Sequence, residues 1–275
     1  MLEAALAALA GLLIGSFLNV CIYRLPLDLS VVTPRSFCPA CDQPIAWYDN
    51  VPVFSYLLLR GRCRKCGARI RLRYPIVELL TGAAFFAAVW MLGPTAAAIK
   101  FCVYAAILIT LIFSDLEERI LPDEFTLGGA VAGVIFAGFV PFDWGIMRLL
   151  LMRVDSPRLA SMAESLFAAV FCGGALWTVG FLYEKLRHRE GLGFGDVKMV
   201  AMIGAFLGLQ GALMTLIAGS LLGAVVGLCY IWFTGKDAST YELPFGTFLG
   251  AAALAVGFFG QVFTTWYNHL GAPGS

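Results

Sequence analysis

The sequence predicts an all-α polytopic membrane protein with about eight transmembrane helices and a small, zinc-ribbon-like cytoplasmic insertion between the first two helices. Three observations lead to this prediction: 60% of the 275 residues are hydrophobic, only 13% are charged, and four cysteines fall within one polar segment. Soluble domains contain about 25% charged residues, so a chain this apolar is expected to cross the bilayer repeatedly. Residues 1–275 are therefore predicted to form a single polytopic membrane domain, with an inserted loop at 24–74.

Eight apolar segments are candidates for membrane spans, for which a helix needs about 20 residues. They are Leu2–Tyr23, Pro75–Leu92, Thr95–Ser114, Phe125–Val140, Ser161–Tyr183, Val197–Leu209, Gly211–Phe233 and Pro244–Phe263. The first is interpreted as an uncleaved anchor rather than a signal peptide. A signal peptide begins with a positively charged region, whereas this segment starts with Glu3 and has no Lys or Arg before it. The sixth has 13 residues, which cover roughly 20 Å of a hydrocarbon core about 30 Å thick. Either its turn lies later in the chain, or this short helix thins the bilayer.

The distribution of positive charge predicts an orientation. With eight spans, one set of loops holds fifteen Lys and Arg residues and the opposite set holds four. Nine of the fifteen lie in the loop from Arg24 to Tyr74. Because cytoplasmic loops carry the excess of Lys and Arg, we expect the N-terminus outside and the large loop in the cytoplasm. The chain is expected to contact lipid and to have no nucleic-acid partner.

The large loop contains two Cys-x2-Cys pairs separated by 21 residues. They are Cys38 with Cys41 and Cys63 with Cys66. Four thiolates at this spacing suit a tetrahedral Zn²⁺, and a metal is favoured over two disulfides in a reducing cytoplasm. Redox pairs or unligated thiols remain the alternative. A polar segment of this size has too little core to fold firmly alone, so the zinc is expected to be structural.

Two carboxylates stand at the ends of apolar segments, Asp115 and Asp196. An ionisable residue at such a position is costly and indicates function. Two facing carboxylates can share a proton and activate water, as in aspartic proteases. Only two histidines occur, His188 and His269, and they lie in loops on opposite sides of the membrane, so no His-based triad shares a site. Both aspartates are predicted on the cytoplasmic face.

Two further acids allow more than one interpretation. Asp123 follows Pro122 at the predicted start of a helix, where an acid interacts favourably with the helix dipole, so a structural role is favoured over a catalytic one. Glu78 suits the first turn of a helix beginning near Pro75, yet it is an acid within an apolar span. A structural and a functional role are equally open for Glu78.

Six motifs in order resemble the bacterial type IV prepilin leader peptidases, from residue 15 to about 250. They are Gly15–Pro26, Asp49–Pro52, Leu59–Cys63 within the tetracysteine loop, Arg73–Glu78, Asp115 with Pro122-Asp123, and Gly193-x-Gly-Asp196. The resemblance implies an inner-membrane aspartic endopeptidase of the Gly-x-Gly-Asp type that removes the leader of prepilins and of type II secretion pseudopilins. It also implies N-methylation of the new amino terminus with S-adenosylmethionine, because relatives with the tetracysteine loop are typically bifunctional. A longer segment at Pro141–Ala160 departs from the family pattern.

The expected mechanism pairs one protonated and one ionised aspartate, titrating as a unit. Glu78 is the candidate for orienting the amine during methyl transfer, because it lies where the loop joins the second span. Two other functions are considered: a peptidase without methyltransferase activity, and a polytopic transporter or scaffold with a zinc-binding docking loop. The transporter predicts aspartates at mid-membrane and paired repeats. The methyl-donor pocket, the individual pilin substrates and the oligomeric state are left open.

Overall fold

The computed structural model describes residues 1–142, 145–150, 156–188, 192–234 and 244–271, with 148, 149, 234 and 261–271 described by backbone alone. Within these residues the chain is helical, and its only extended pairings are two isolated β-bridges. The helices are α1 (Leu2–Arg24), α2 (Phe54–Leu58), α3 (Arg73–Leu92), α4 (Ala96–Glu118), α5 (Asp123–Phe139), α6 (Ile146–Leu150), α7 (Pro157–Arg187), α8 (Phe194–Thr234) and α9 (Phe245–Gly271). The all-α prediction is confirmed. Arg153, Arg189 and Lys236 from the charge comparison lie outside the described residues.

Five of the described helices are long and apolar enough to cross a membrane: α1, α3, α4, α7 and α8. The predicted sixth and seventh spans are both parts of α8, which is interrupted at Gly208 by a left-handed backbone with φ 72°. The break therefore lies just before the predicted end of the sixth span at Leu209, because Gly208 can adopt this conformation without a steric penalty. Of the two alternatives for the sixth span, a later turn is therefore wrong. The part of α8 before the break, residues 194–207, is shorter than a full span.

The chain divides into two compact units, residues 1–114 and 115–275. In the first unit α1 and α3 pack closely at small residues. A Cβ at Gly11 would lie 2.7 Å from the Thr81 carbonyl oxygen, and one at Gly15 would lie 2.7 Å from the Glu78 Cα. Such small-xxx-small spacing lets helix backbones approach in a bilayer, where burial of apolar surface gives no net driving force. One turn beyond Gly15, Asn19 donates a hydrogen bond to the Tyr74 carbonyl at 3.0 Å.

The insertion in the first unit is organised by buried polar contacts at its start and at its centre. Arg24 is buried at the end of α1, and its guanidinium donates to the carbonyls of Ser30 at 2.9 Å and Pro34 at 2.8 Å. Farther along, the Ser55 hydroxyl donates to the Tyr48 carbonyl at 2.8 Å. These bonds satisfy backbone groups that a segment with little regular structure would otherwise leave unpaired.

The second unit packs α5, α7 and α8 through glycine and alanine. A Cβ at Gly133 of α5 would lie 2.8 Å from Ala205 of α8, and a Cβ at Gly204 would lie 2.8 Å from the Ala168 carbonyl oxygen of α7. The Ser165 hydroxyl adds a hydrogen bond to the Ala205 carbonyl at 2.7 Å. These contacts hold α8 between its neighbours, and they fix the position of the α8 N-terminus, where the second aspartate lies.

Candidate active site and metal centre

Asp115 lies in the last turn of α4 and is 6% exposed. The helix ends because Arg119 adopts a left-handed conformation with φ 55°, while its N–H still donates to the Asp115 carbonyl at 3.0 Å. Pro122 then prevents the chain from continuing as a helix. The local sequence therefore stops the helix directly after its apolar run, which leaves the carboxylate at the helix end rather than at its middle.

Asp196 lies in the first turn of α8, behind two glycines, and is half-buried. Its N–H donates to the Gly193 carbonyl at 3.1 Å. A Cβ at Gly193 would come within 3.4 Å of Asp196 Oδ2, and a Cβ at Gly195 would lie 3.2 Å from the Leu121 Cβ. The glycines thus serve two purposes: one leaves space beside the carboxylate, and the other allows close packing against Leu121.

The two carboxylates converge on Gly246, the second residue of α9. A Cβ at Gly246 would lie 3.1 Å from Asp115 Oδ2 and 3.3 Å from Asp196 Oδ1. The two oxygens are therefore no farther apart than these two distances together. Asp115 and Asp196, which are 81 positions apart in the sequence, thus face one another across a point that no side chain occupies.

Thr247 supplies two hydrogen bonds to the first of these carboxylates. Its backbone N–H donates to Asp115 Oδ2 at 2.6 Å, and its hydroxyl donates to the same oxygen at 2.9 Å. Hydrogen bonds to an ionised acceptor are shorter and stronger than those between neutral groups. Thr247 thus orients Asp115 and provides an environment suited to its charged form.

Asp123 is engaged elsewhere. It is the first residue of α5, with Pro122 as its N-cap, and its Oδ1 forms an ion pair with Lys198 Nζ at 2.5 Å. The Asp123 side chain is 56% exposed, in contrast to the buried Asp115. Its position at a helix N-terminus and its cationic partner support the structural role favoured by the sequence.

The four predicted metal ligands are brought together in the first unit. The Sγ atoms of Cys38, Cys41, Cys63 and Cys66 all lie within 4.8 Å of one another, and those of Cys38 and Cys66 are 3.9 Å apart. A Zn–S distance of about 2.3 Å requires sulfurs about 3.8 Å apart in a tetrahedron. The distances within the cluster therefore suit a tetrahedral metal site.

The backbone around the two cysteine pairs repeats the same turn. Cys38 N–H donates to the Gln43 carbonyl, and Cys63 N–H donates to the Ala68 carbonyl, both near 3 Å. Directly after each pair comes a left-handed residue, Asp42 with φ 54° and Gly67 with φ 71°. Backbone N–H groups of Cys66 and Lys65 lower the pKa of the Cys63 thiol to about 7.

Glu78 lies in the first unit, where its carboxylate holds the inserted segment. Its Oε2 accepts a hydrogen bond from the Val53 N–H at 2.7 Å, and Ser16 of α1 provides another. Val53 has φ 58°, a conformation that β-branched residues rarely adopt. Glu78 is 7% exposed and lines a cavity between the helices and the insertion.

Sequence reasoning missed several polar residues that the structure brings to these sites. Thr247 and Gly246 lie at the active site, Lys198 pairs with Asp123, and Asn19 lines the cavity beside Glu78. Asn19 could have been recognised as a polar residue inside the first apolar span. The glycine of Pro244-Phe-Gly-Thr247 at the start of the last span was another signal. The contact of Thr247 with Asp115 had no local signal.

Two protein-family models match the chain. Residues 9–92 match the bacterial peptidase A24 N-terminal domain, and residues 102–228 match the type IV leader peptidase family. No solved structure matches the chain significantly.

Several curated relatives are similar over most of the chain, and all three described here are named prepilin leader peptidase/N-methyltransferase. The protein from Burkholderia pseudomallei (strain 1026b) is 34% identical, over 95% of this chain and 87% of its own length. The Aeromonas hydrophila protein is 33% identical, over 96% and 93%. The Myxococcus xanthus protein is 42% identical over 84% of this chain, which spans 64% of that relative. With both family models matched in order and such similarity across most of its length, the chain belongs to the type IV leader peptidase family.

Proposed function

We propose that this chain is a bifunctional membrane enzyme that cleaves the leader from type IV prepilins and pseudopilins and N-methylates the new amino terminus. The observation that carries the proposal is the convergence of Asp115 and Asp196 on Gly246. Both acids lie at helix ends, in the last turn of α4 and the first turn of α8. A proton relay of a transporter would need them at mid-membrane, so an endopeptidase accounts better for their position.

The proposed setting is the bacterial inner membrane, with the N-terminus outside and the active site at the cytoplasmic face. The excess of Lys and Arg in the loops on the side of both aspartates supports this orientation. A prepilin would then keep its basic leader in the cytoplasm and its apolar segment in the bilayer. Glu117 and Glu118, next to Asp115 on the same helix end, supply negative charge that would attract the leader.

In the proposed mechanism Asp115 is the ionised member of the pair, because its Oδ2 already accepts two hydrogen bonds from Thr247. It removes a proton from a water molecule, and the resulting hydroxide attacks the carbonyl carbon of the scissile peptide bond. Protonated Asp196 donates to the carbonyl oxygen and so stabilises the negative charge that develops there. Collapse of the tetrahedral intermediate breaks the C–N bond, and Asp115 returns the proton to the leaving amine.

For the cysteine cluster we propose a structural zinc. The four sulfurs saturate a tetrahedral ion, which leaves no position for an activated water. The insertion between residues 24 and 74 contains little regular structure apart from α2. The metal would therefore supply much of the free energy that holds the two Cys-x2-Cys turns together.

The methyltransferase activity is assigned to the first unit. The insertion is not needed by an aspartic peptidase as such, and Glu78 holds it through Val53. A bound S-adenosylmethionine would supply an electrophilic methyl group. Glu78 would orient the amine that cleavage has freed, because a carboxylate accepts hydrogen bonds from N–H groups and favours a nearby positive charge.

Replacement of either aspartate by asparagine should abolish cleavage. Asp115→Asn and Asp196→Asn each leave an incomplete acid–base pair, and we expect the rate of leader removal to fall by at least about 10³-fold, within the range for loss of general acid–base catalysis. The measurement is cleavage of a prepilin by purified protein in detergent, with expression and membrane insertion checked. Asp123→Asn is the matched control. If Asp115→Asn cleaves normally and Asp123→Asn does not, the assignment of the first aspartate is wrong.

Thr247→Val should slow cleavage by about 10- to 100-fold. This factor corresponds to the free energy that a hydrogen bond to a charged group contributes. The valine removes the hydroxyl donor to Asp115 and keeps the shape and the backbone N–H. We expect the loss in kcat rather than in KM, because the bond orients the catalytic group and not the substrate. Thr247→Ser keeps the hydroxyl and should restore the rate. Equal rates for Thr247→Val and the wild type would refute this positioning role.

Purified protein should contain roughly one zinc per chain. Replacing Cys38, Cys41, Cys63 or Cys66 by serine should release the metal, because each replacement removes one of four ligands. The insertion should then unfold at a clearly lower temperature, whereas the rate of leader cleavage should change less. Cys229→Ser, at an exposed position of α8, is the control and should retain the metal. Elemental analysis and limited proteolysis measure the two effects. A metal-free wild type with two disulfides in the insertion would overturn the proposal.

The two activities should separate genetically. Asp196→Asn should still methylate a pre-cleaved pilin peptide, because methyl transfer needs no activated water. Loss of the cysteine cluster should reduce methylation more than cleavage. Mass spectrometry of the product, with and without S-adenosylmethionine, measures both. If the wild type yields only unmethylated product with the donor in excess, the chain is a peptidase alone.

A further inference from the structure

The short helix α2 exposes an apolar face. Phe54, Leu57 and Leu58 follow the i, i+3, i+4 spacing of one helix face, and they are 60%, 67% and 66% exposed. The other side of α2 faces inward, because the buried Ser55 hydroxyl donates to a carbonyl of the preceding turn and Tyr56 lines the cavity. Single exposed apolar residues are common, but three large ones together in a polar segment indicate a surface that contacts something apolar.

The position of α2 along the helix pair is set by Glu78. Val53, the residue before α2, donates its N–H to Glu78 Oε2 at 2.7 Å, and Ser16 of α1 bonds to the same carboxylate. Ser16 lies eight residues before the end of α1 at Arg24, and Glu78 lies five residues after the start of α3. At a rise of 1.5 Å per residue, these separations along the helix axes are about 12 Å and about 7.5 Å. The helix α2 therefore begins beside the apolar part of α1 and α3 and not beyond their ends.

The first part of the insertion is anchored at a different level. Arg24 is the last residue of α1, and its guanidinium donates to the carbonyls of Ser30 and Pro34. Val32 lies between these two anchored residues and is 81% exposed. The insertion thus has two exposed apolar sites, one fixed to the helix end and one fixed about two turns inside it. Val32 is therefore a matched reference for α2.

Positive charge and an exposed tryptophan accompany this apolar face. Residues 24–74 contain nine Lys and Arg residues, three Asp and no Glu. Arg60, Arg62 and Lys65 follow α2 directly and are exposed. Trp47 is exposed in the turn that packs on α2, and tryptophan favours the level of the lipid headgroups. An apolar face beside Lys and Arg is typical of short segments that lie in the surface of an anionic bilayer.

We propose that α2 docks into the bilayer surface beside α1 and α3. Phe54, Leu57 and Leu58 lie at the boundary between headgroups and acyl chains, and the Arg and Lys residues that follow contact anionic headgroups. Anionic lipid accounts for both the depth of this face and the cations beside it, whereas a protein partner accounts only for its apolar character. The insertion is thereby held against the membrane at a point of its own, besides the two helices that carry it.

The depth of α2 can be measured with a fluorescent label in nanodiscs that hold one chain each, which excludes contact with a second copy. The environment-sensitive dye NBD is attached to Leu57→Cys or to Val32→Cys, both combined with Cys229→Ser because Cys229 is exposed. Nitroxides on the lipid acyl chains should quench the dye that replaces Leu57 at least about twice as strongly as the dye that replaces Val32, because only α2 reaches the acyl boundary. Iodide in the water should show the opposite order. Equal quenching of the two dyes would overturn the proposal.

The role of the cations can be measured by changing the lipid. Discs of phosphatidylcholine are compared with discs in which about one third of the lipid is phosphatidylglycerol. Acyl-chain quenching of the dye that replaces Leu57 should be stronger in the anionic discs, and added salt should reverse the gain, because salt screens the attraction. Arg60→Gln combined with Arg62→Gln should remove the dependence on lipid charge. The same quenching in both lipids would refute the contact with anionic headgroups.

Two substitutions at Leu57 distinguish lipid from a protein partner. Leu57→Asp should release α2 from the bilayer, so trypsin should cleave after Arg60 and Arg62 at least about fivefold faster in anionic discs, because binding scales with the apolar area that is buried. Leu57→Phe should stay protected, because the attraction of apolar surface to lipid is not directional. Val32→Asp is the control and should leave the cleavage rate unchanged.

The outcomes of this comparison are exclusive. If Leu57→Phe is cleaved as fast as Leu57→Asp, the face requires a fitted partner of defined shape, and docking to lipid is wrong. If neither variant is cleaved faster than the wild type, α2 does not hold the insertion to the membrane. Equal zinc content in all labelled and substituted proteins excludes misfolding of the insertion and labelling of the cysteine cluster as causes.

Discussion

The absence of a side chain at Gly246 is the constraint on which the proposed peptidase depends. Two carboxylates from helices distant in sequence approach the same point, and a methyl group there would lie 3.1 Å from one and 3.3 Å from the other. Any larger residue would separate them or fill the space that a water and a peptide carbonyl need. The next residue, Thr247, contributes the hydrogen bonds that distinguish Asp115 from Asp196. One short sequence at the start of α9 therefore opens the site and makes it asymmetric.

Close packing at small residues keeps these helix ends in place. Lipid is as apolar as a helix surface, so helices associate in a bilayer through shape and hydrogen bonds. In the second unit Gly133 and Gly204 bring α5 and α7 against α8 at backbone distance, which fixes where α8 begins and thus where Asp196 lies. In the first unit Gly11 and Gly15 bring α1 against α3. There the close crossing places Asn19 next to the turn that precedes Glu78.

The insertion has a different source of order, because it contains little regular structure and has little apolar core. Its two Cys-x2-Cys turns bring four sulfurs within 4.8 Å, and a metal at their centre would replace the core that the segment lacks. Arg24 and Glu78 connect the insertion to the ends of α1 and α3 through backbone groups. Arg24, Glu78 and cysteines of both pairs also line the cavity between the insertion and the two helices.

The sequence by itself determined the helical membrane class, the approximate positions of the spans, the four cysteines as a set and the two aspartates as candidates. These features depend on composition, on segment length and on local motifs, which the bilayer and the metal constrain directly. Only the tertiary structure decided that Asp115 and Asp196 meet at Gly246, that Asp123 pairs with Lys198, and that Thr247 donates two hydrogen bonds to Asp115. It also decided that Asn19 lines a cavity beside Glu78, and that α8 breaks at Gly208. Each of these depends on which helix ends lie side by side, and helix packing joins residues whose separation in the chain carries no local signal.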